Sequence, residues 1–201
     1  MALDHELLGI ALITMHLPSP DVLGFAYFIS EFGLLVLRRS RQGATSADKG
    51  SLRVLWIVIM LSMAAAAAIG ILLPQARFIG PDAARSTGLV LFVVGVSLRW
   101  YSILYLGRFF TVNVAIAVDH KVVDTGPYRL MRHPSYTGAL IAFLAYGMCL
   151  GNAVALPVLM VPITWVFFRR IVVEEEALKG ALGSAYGDYA ARTKRLIPFV
   201  Y

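Results

Sequence analysis

The chain has 201 residues, of which 59% are hydrophobic and only 15% charged, with a mean hydropathy of +0.73; a water-soluble domain carries about 25% charged residues, so this composition belongs in lipid. A net charge of +6 could suit nucleic acid, but the basic residues form no patch with interleaved aromatics and sit beside apolar runs, where anionic lipid is the better partner. The single cysteine, Cys149, excludes a disulfide and a cysteine metal cluster.

In chain order, the N-terminus carries Asp4 and Glu6 where a secretory signal would be positive, and its apolar stretch 7–17 is short. On that ground no cleaved signal is expected, and an interfacial or partly inserted helix is. Residues 22–37 read as a span that joins apolar residues upstream across Pro18 and Pro20, and residues 52–73 and 87–106 have the roughly 20 apolar residues that a crossing needs. The alanine run 64–68 is expected to be a close helix-packing surface. Residues 136–150 and 153–168 flank Gly151-Asn152 and read as a helical hairpin whose arms are each marginal for a full crossing. The expected fold is therefore an all-α integral membrane protein of about five transmembrane helices in one domain.

Lys and Arg number five in residues 38–53, four in 107–134 and six in 169–201, against two in 74–86 and Arg99 within a span. Alternating spans put the three basic segments on one side, which the positive-inside rule assigns to the cytoplasm. Asn113 is read as the mark of a broken or re-entrant piece. Trp56, Trp100 and Trp165 read as packing or interfacial residues, His5 and His16 as interfacial, and Glu31 as a partner within the bundle.

Residues 120–138, HKVVDTGPYRLMRHPSYTG, pack polar, aromatic and turn-forming residues against the start of the hairpin. Gly126-Pro127 is a turn signal, and Pro134 suits the first turn of the following helix. This sets His133 at the hairpin's mouth, with Tyr136 three residues on along the same helical face. Residues 169–176, RRIVVEEE, carry Arg170 and Glu174 four apart, either as a surface ion pair worth under about 1 kcal/mol or as part of a site. Arg99 is costly in a membrane helix unless paired or hydrated, so function and snorkelling toward the interface both stand.

Together, G-x-Y-x-x-x-R-H-P-x-Y-x-G (126–138), E-E-x-x-L (174–178), Gly187, Tyr189 and Arg-Leu-Ile-Pro (195–198) resemble the isoprenylcysteine carboxyl methyltransferase family, and phosphatidylethanolamine N-methyltransferases share part of the pattern. The resemblance covers about half the chain, 99–198, and implies N-terminal spans over 1–98 followed by a catalytic and cofactor-binding part over 99–201. It implies S-adenosylmethionine in a cytoplasmic pocket, with His133, Tyr136 and the Glu174-Glu175 pair among its contacts. From the same loop, His120, Lys121, the Val122 and Val123 backbone, Gly126 and Tyr128 are further candidates. Arg99 and Arg170 match positions that face the methyl acceptor, and no metal is expected.

The function so implied is transfer of a methyl group from S-adenosylmethionine to a lipophilic acceptor, the carboxylate of a prenylcysteine-like substrate. An ionised carboxylate needs no general base, whereas a phospholipid amine, the alternative acceptor, must first lose a proton. A non-catalytic protein binding lipid or a partner is the alternative of another class. Membrane lipids are expected around the chain and nucleic acid is not; the active site is expected to face the cytoplasm, from the inner membrane in a bacterium.

Overall fold

A computed structural model describes residues 18–37, 45–46, 50–78, 80–110, 115–116 and 121–201. The expectations for residues 7–17, Asn113 and His120 lie outside these. Among the described residues six α-helices follow one another: α1 (Pro20–Leu37), α2 (Ser51–Leu72), α3 (Pro81–Leu106), α4 (Pro134–Leu150), α5 (Ala155–Leu182) and α6 (Ser184–Arg192). A two-residue antiparallel pair, β1 (Thr45–Ser46) and β2 (Ala115–Ile116), joins the α1–α2 and α3–α4 connections, with Thr45 opposite Ile116.

The helix ends follow local chemistry. The Ser19 hydroxyl accepts from the Val22 amide at the start of α1, as an N-cap should. Between α4 and α5, Gly151 takes a left-handed conformation at φ 67°, which only a glycine adopts without cost. Asn152, fully buried, then accepts from the amides of Val154 and Ala155 at 2.9 and 3.0 Å and donates to the Leu73 carbonyl at 2.8 Å. Backbone bonds from Phe78 to Gly151 and from Ala153 to Ala76 complete the junction. The hairpin turn and the α2–α3 connection thus form one end of the bundle, and described parts of the three basic segments meet at the other, where Arg170 donates to Ser51 and Arg132 to Glu175.

Ser51–Leu72, Asp82–Phe109 and Ala155–Leu182 are, among the described residues, long and apolar enough to cross a membrane. The two arms of the hairpin are unequal. The first has 17 residues, but the second continues unbroken through 169–176 to 28 residues, about 42 Å of helix, so the expectation that both arms are marginal is corrected. The polar 169–176 segment opens the second half of a long helix, and its register is set by the packed part before it.

Helix α3 lies against α4, and α2 against α5. The core joins Leu23 and Tyr27 of α1 to Leu55 and Ile59 of α2, Phe143 of α4, and Leu159, Ile163 and Phe167 of α5. Tyr27 meets the Phe143 ring edge to face at 5.0 Å. Phe25, Leu61, Ile71, Val90 and Val161 point outward and are exposed, an apolar jacket suited to acyl chains.

The closest helix approach falls on glycines rather than on the alanine run. A Cβ on Gly138 would stand 2.5 Å from the Gly95 carbonyl oxygen and 2.6 Å from the Arg99 amide, and one on Gly95 would stand 2.7 Å from the Gly138 carbonyl oxygen. Of residues 64–68 only Ala66 is buried, while Ala64, Ala65 and Ala68 are exposed. The expected alanine surface is therefore mostly lipid-facing, since the packed α2 face is set by Leu55, Ile59, Ser62 and Ala66.

Gly138→Ala should displace α3 from α4 and lower thermal stability by several degrees, while Gly33→Ala, where a Cβ meets nothing within 4 Å, should leave it unchanged or slightly raised. Fluorescence-detected melting in detergent reads both.

Candidate active site

Glu175, one turn beyond Ile171 on α5, is 3% exposed. A bare carboxylate there would be prohibitive, and three cationic or polar side chains converge on it. Arg132 Nε donates to Oε1 at 2.7 Å, and Arg195 donates to Oε2 from Nη2 at 2.9 Å and from Nε at 3.1 Å. His133 Nε2 lies 3.3 Å from Oε1. Arg132 also donates to the Ala190 carbonyl at 2.9 Å and to that of Thr193. The amides of Arg132 and His133 bond to the carbonyls of Lys194 and Arg195 at 2.7 and 2.9 Å. One carboxylate thus ties the loop before α4 to the C-terminal segment and to α5.

That loop positions the next group. The His133 ring, 4% exposed, stacks on Tyr136 at 5.4 Å and 5°, and the Tyr136 hydroxyl donates to Glu174 Oε2 at 2.7 Å. The Glu174 side chain keeps 30% of its surface exposed. Arg170, one turn earlier and 2% exposed, donates to the Ser51 hydroxyl at the start of α2. With Arg170 buried, the two do not form a pair on the surface, although Glu174 keeps part of its side chain exposed.

Arg99 is held from α1. Its Nε and Nη2 bond to Glu31 Oε1 and Oε2 at 2.5 and 2.6 Å, and its Nη1 donates to the Ser135 carbonyl at 3.2 Å. A two-pronged guanidinium–carboxylate pair is the arrangement that makes a buried charge tolerable. The Arg99 side chain is 11% exposed and that of Glu31 7%, so Arg99 does not snorkel, and Glu31 is the partner within the bundle that the sequence suggested. Neighbouring Trp100 donates to Ser30 at 2.6 Å, adding a second α1–α3 tie.

These groups share one cleft with about 790 Å³ of space between atoms, open solvent at its mouth included. Its polar wall carries Glu31, Arg99, Arg132, His133, Tyr136, Arg170 and Glu174, and Tyr128 also lines it. Its apolar wall carries Leu34, Leu52, Leu55, Trp56, Ile59 and Phe167. Tyr128 is fixed by its hydroxyl on the Ser102 carbonyl at 3.2 Å and by Tyr189, which donates to the Tyr128 carbonyl at 2.7 Å. Burial pushes the Tyr189 hydroxyl up to about 12, so this bond keeps its proton across the physiological range.

The remaining candidates stand apart from the cleft. Glu175 does not line it, being enclosed by its partners. Gly126 has φ 55°, and a Cβ there would strike the Tyr105 ring at 2.4 Å, so its need is steric. Lys121 is exposed and Val122 half-buried, and neither lines the cleft. Among the described residues no group of three or more His, Cys, Asp or Glu side chains could hold a metal ion.

Sequence reading did not assign Arg132, Arg195, Ser51 or the Ser135 carbonyl. Arg132 and Arg195 stood inside the quoted motifs, but no local spacing could reveal that both meet Glu175, 43 and 20 residues away.

Helices that turn a greasy surface outward around a polar-ended cleft define the class: an all-α integral membrane protein with an amphiphilic internal site. Residues 88–180, which hold most of the polar wall, match the model of the isoprenylcysteine carboxyl methyltransferase family. Protein-S-isoprenylcysteine O-methyltransferase B of Arabidopsis thaliana is 39% identical over 116 residues, 56% of this chain and 58% of that one. Protein-S-isoprenylcysteine O-methyltransferase of Tribolium castaneum is 34% identical over 116 residues, 56% and 41% of the two chains. The chain spans less than two thirds of the length of these relatives. A solved structure of the eukaryotic intramembrane Ras methyltransferase isoprenylcysteine carboxyl methyltransferase superimposes with a TM-score of 0.59 at 28% identity, over 72% of this chain and 52% of that one.

Removing Glu175 leaves the buried Arg132 guanidinium and the buried His133 ring without their carboxylate, and Arg195 at the edge without its partner. Glu175→Ala should therefore cost about 3 kcal/mol of stability, whereas Glu174→Ala, at a part-exposed side chain, should cost under about 1 kcal/mol. Melting curves of the two variants in one detergent separate them, and equal losses would contradict the structural role of Glu175.

Proposed function

We propose that the protein is a membrane methyltransferase that uses S-adenosylmethionine to methylate the carboxylate of a prenylcysteine-like lipid. The observation that carries this reading is the shared cleft, in which Arg170, Tyr136, His133 and Glu174 face a wall of leucine, isoleucine and aromatic side chains. The names of the relatives and the family model matched by residues 88–180 support it.

The donor set fits the cofactor's chemistry. Glu174 offers a carboxylate at the cleft to the cationic portion, and Tyr128, His133 and Tyr136 offer aromatic faces and polar atoms to the adenosine. When bound, the cofactor supplies an electrophilic methyl group.

The chain's own residues then have simple tasks. Arg170 directs donors at the acceptor carboxylate, and its burial strengthens that attraction. Arg99 already commits donors to Glu31 and Ser135, so it contributes a fixed positive edge rather than a mobile clamp. Leu52, Leu55, Ile59 and Phe167 hold the aliphatic tail and keep water from the displacement. The carboxylate is ionised at neutral pH, so no residue need remove a proton. Alignment of the two reactants is the main catalytic contribution. The cleft opens at the end that carries the basic segments, and this end faces the cytoplasm by the positive-inside rule. Residues 1–98 supply most of the apolar wall, and 99–201 most of the polar one, within one domain.

With cofactor labelled on its methyl group, purified protein should transfer label to a farnesylcysteine analogue as a base-labile methyl ester. Label on phosphatidylethanolamine would favour the amine acceptor, and no transfer to either would overturn the enzyme reading. Arg170→Ala should keep cofactor affinity and lose on the order of a hundredfold in turnover; normal turnover would remove Arg170 from the acceptor site.

A further inference from the structure

Beyond α6 the chain passes the Glu175 network and then doubles back on itself over residues 196–201. The Leu196 and Ile197 amides both donate to the Tyr201 carbonyl at 2.7 Å, and those of Val200 and Tyr201 donate to the Ile197 carbonyl at 3.2 and 3.1 Å. This hook is fixed at its base, where Thr137 Oγ1 donates to the Leu196 carbonyl at 2.8 Å and Arg195 Nη1 to the Tyr201 hydroxyl at 2.9 Å. Past Leu196 its apolar side chains do not turn inward. Ile197, Phe199 and Val200 are exposed, Phe199 to 87%. Phe199 is also, among the described residues, the one non-glycine with a positive φ, 66°, a conformation that bulky residues rarely adopt. A fixed turn that presents large apolar side chains in this way needs an apolar surface to meet.

The neighbouring face of α5 identifies that surface. Val161, Trp165, Phe168 and Val172 are all exposed at spacings of four, three and four residues, which makes them one stripe of a helix long and apolar enough to cross a membrane. The Tyr201 ring meets Phe168 edge to face at 5.4 Å, so the hook prolongs this lipid-facing stripe. Its level is marked as well. The Arg169 guanidinium lies over the exposed Trp165 ring at 5.5 Å, a pairing suited to the boundary between acyl chains and headgroups. Arg169 and Lys194 are exposed and offer charge to lipid phosphates. Apolar tips with cations alongside match the two parts of an anionic phospholipid.

We propose that the 196–201 hook is a lipid-docking element rather than a tail extending into water. It lies in the leaflet at the basic end of the bundle, with Phe199 and Val200 among the upper acyl chains and with Arg169 and Lys194 at anionic phosphates. The assignment requires that the chain span a membrane, and it stands whatever the cleft binds.

Nitroxide labels test the depth of the hook. They are placed at Phe199→Cys and, separately, at Val200→Cys in a Cys149→Ala background, with the protein reconstituted into vesicles of phosphatidylcholine and phosphatidylglycerol. Collisions with oxygen and with a water-soluble nickel chelate are compared with those at Val161→Cys on α5 and Asp188→Cys on α6, both exposed, as the acyl and aqueous references. The label on the hook should lie about 5–10 Å below the phosphates, with oxygen favoured over nickel as at Val161. Nickel collisions as frequent as at Asp188 would place the hook in water, and exclusion of both reagents would mean that protein covers it. Either result overturns the proposal. Should the Phe199 variant fail to accumulate, the Val200 label decides by itself.

Discussion

Everything at the polar end of this bundle depends on the buried carboxylate of Glu175. It is enclosed, and it stays ionised only because Arg132, Arg195 and His133 surround it. Breaking such a network costs far more than its formation contributes, because each remaining charge is then stranded. The constraint is also geometric. The loop before α4, the C-terminal segment and the long helix α5 can satisfy one another in a single register, and that register brings His133, Tyr136 and Glu174 onto a common wall.

A second buried pair does comparable work across the bundle. Glu31 of α1 holds Arg99 of α3 in a two-pronged contact, and the Ser135 carbonyl of α4 completes it. The close approach of α3 and α4 at Gly95 and Gly138 makes this possible, since a side chain at either glycine would push Ser135 out of reach. The result is an interior that is charged at one end and oily at the other, within a bundle whose spanning helices turn apolar side chains outward. An amphiphile can satisfy both parts at once, which neither a water-soluble metabolite nor a plain hydrocarbon can do.

Much of this was legible in the sequence. Hydropathy located the long helices, because an apolar run of membrane-spanning length has few alternatives, and Gly151-Asn152 announced the hairpin turn. The motif around His133 and Tyr136 led to the polar wall, and the intramembrane Arg99 declared its own importance through its cost. Other features depend on contacts between distant segments. Glu174 and Glu175 are adjacent in sequence, but helix geometry turns one toward the cleft and the other into the knot, and only the positions of Arg132 and Arg195 decide which. The alanine run looked like a packing surface because small residues permit close contact, yet they do not require it, and α3 and α4 meet on glycines instead.

The central claim is that the wall of Tyr128, His133, Tyr136 and Glu174 holds the methyl donor. Isothermal titration calorimetry of S-adenosylmethionine into the detergent-purified protein tests this most directly. The account predicts saturable binding at one site per chain, weakened at least tenfold in Glu174→Gln, which keeps the fold but removes the carboxylate charge. No measurable binding to the folded wild-type protein, or full affinity in the variant, would contradict it.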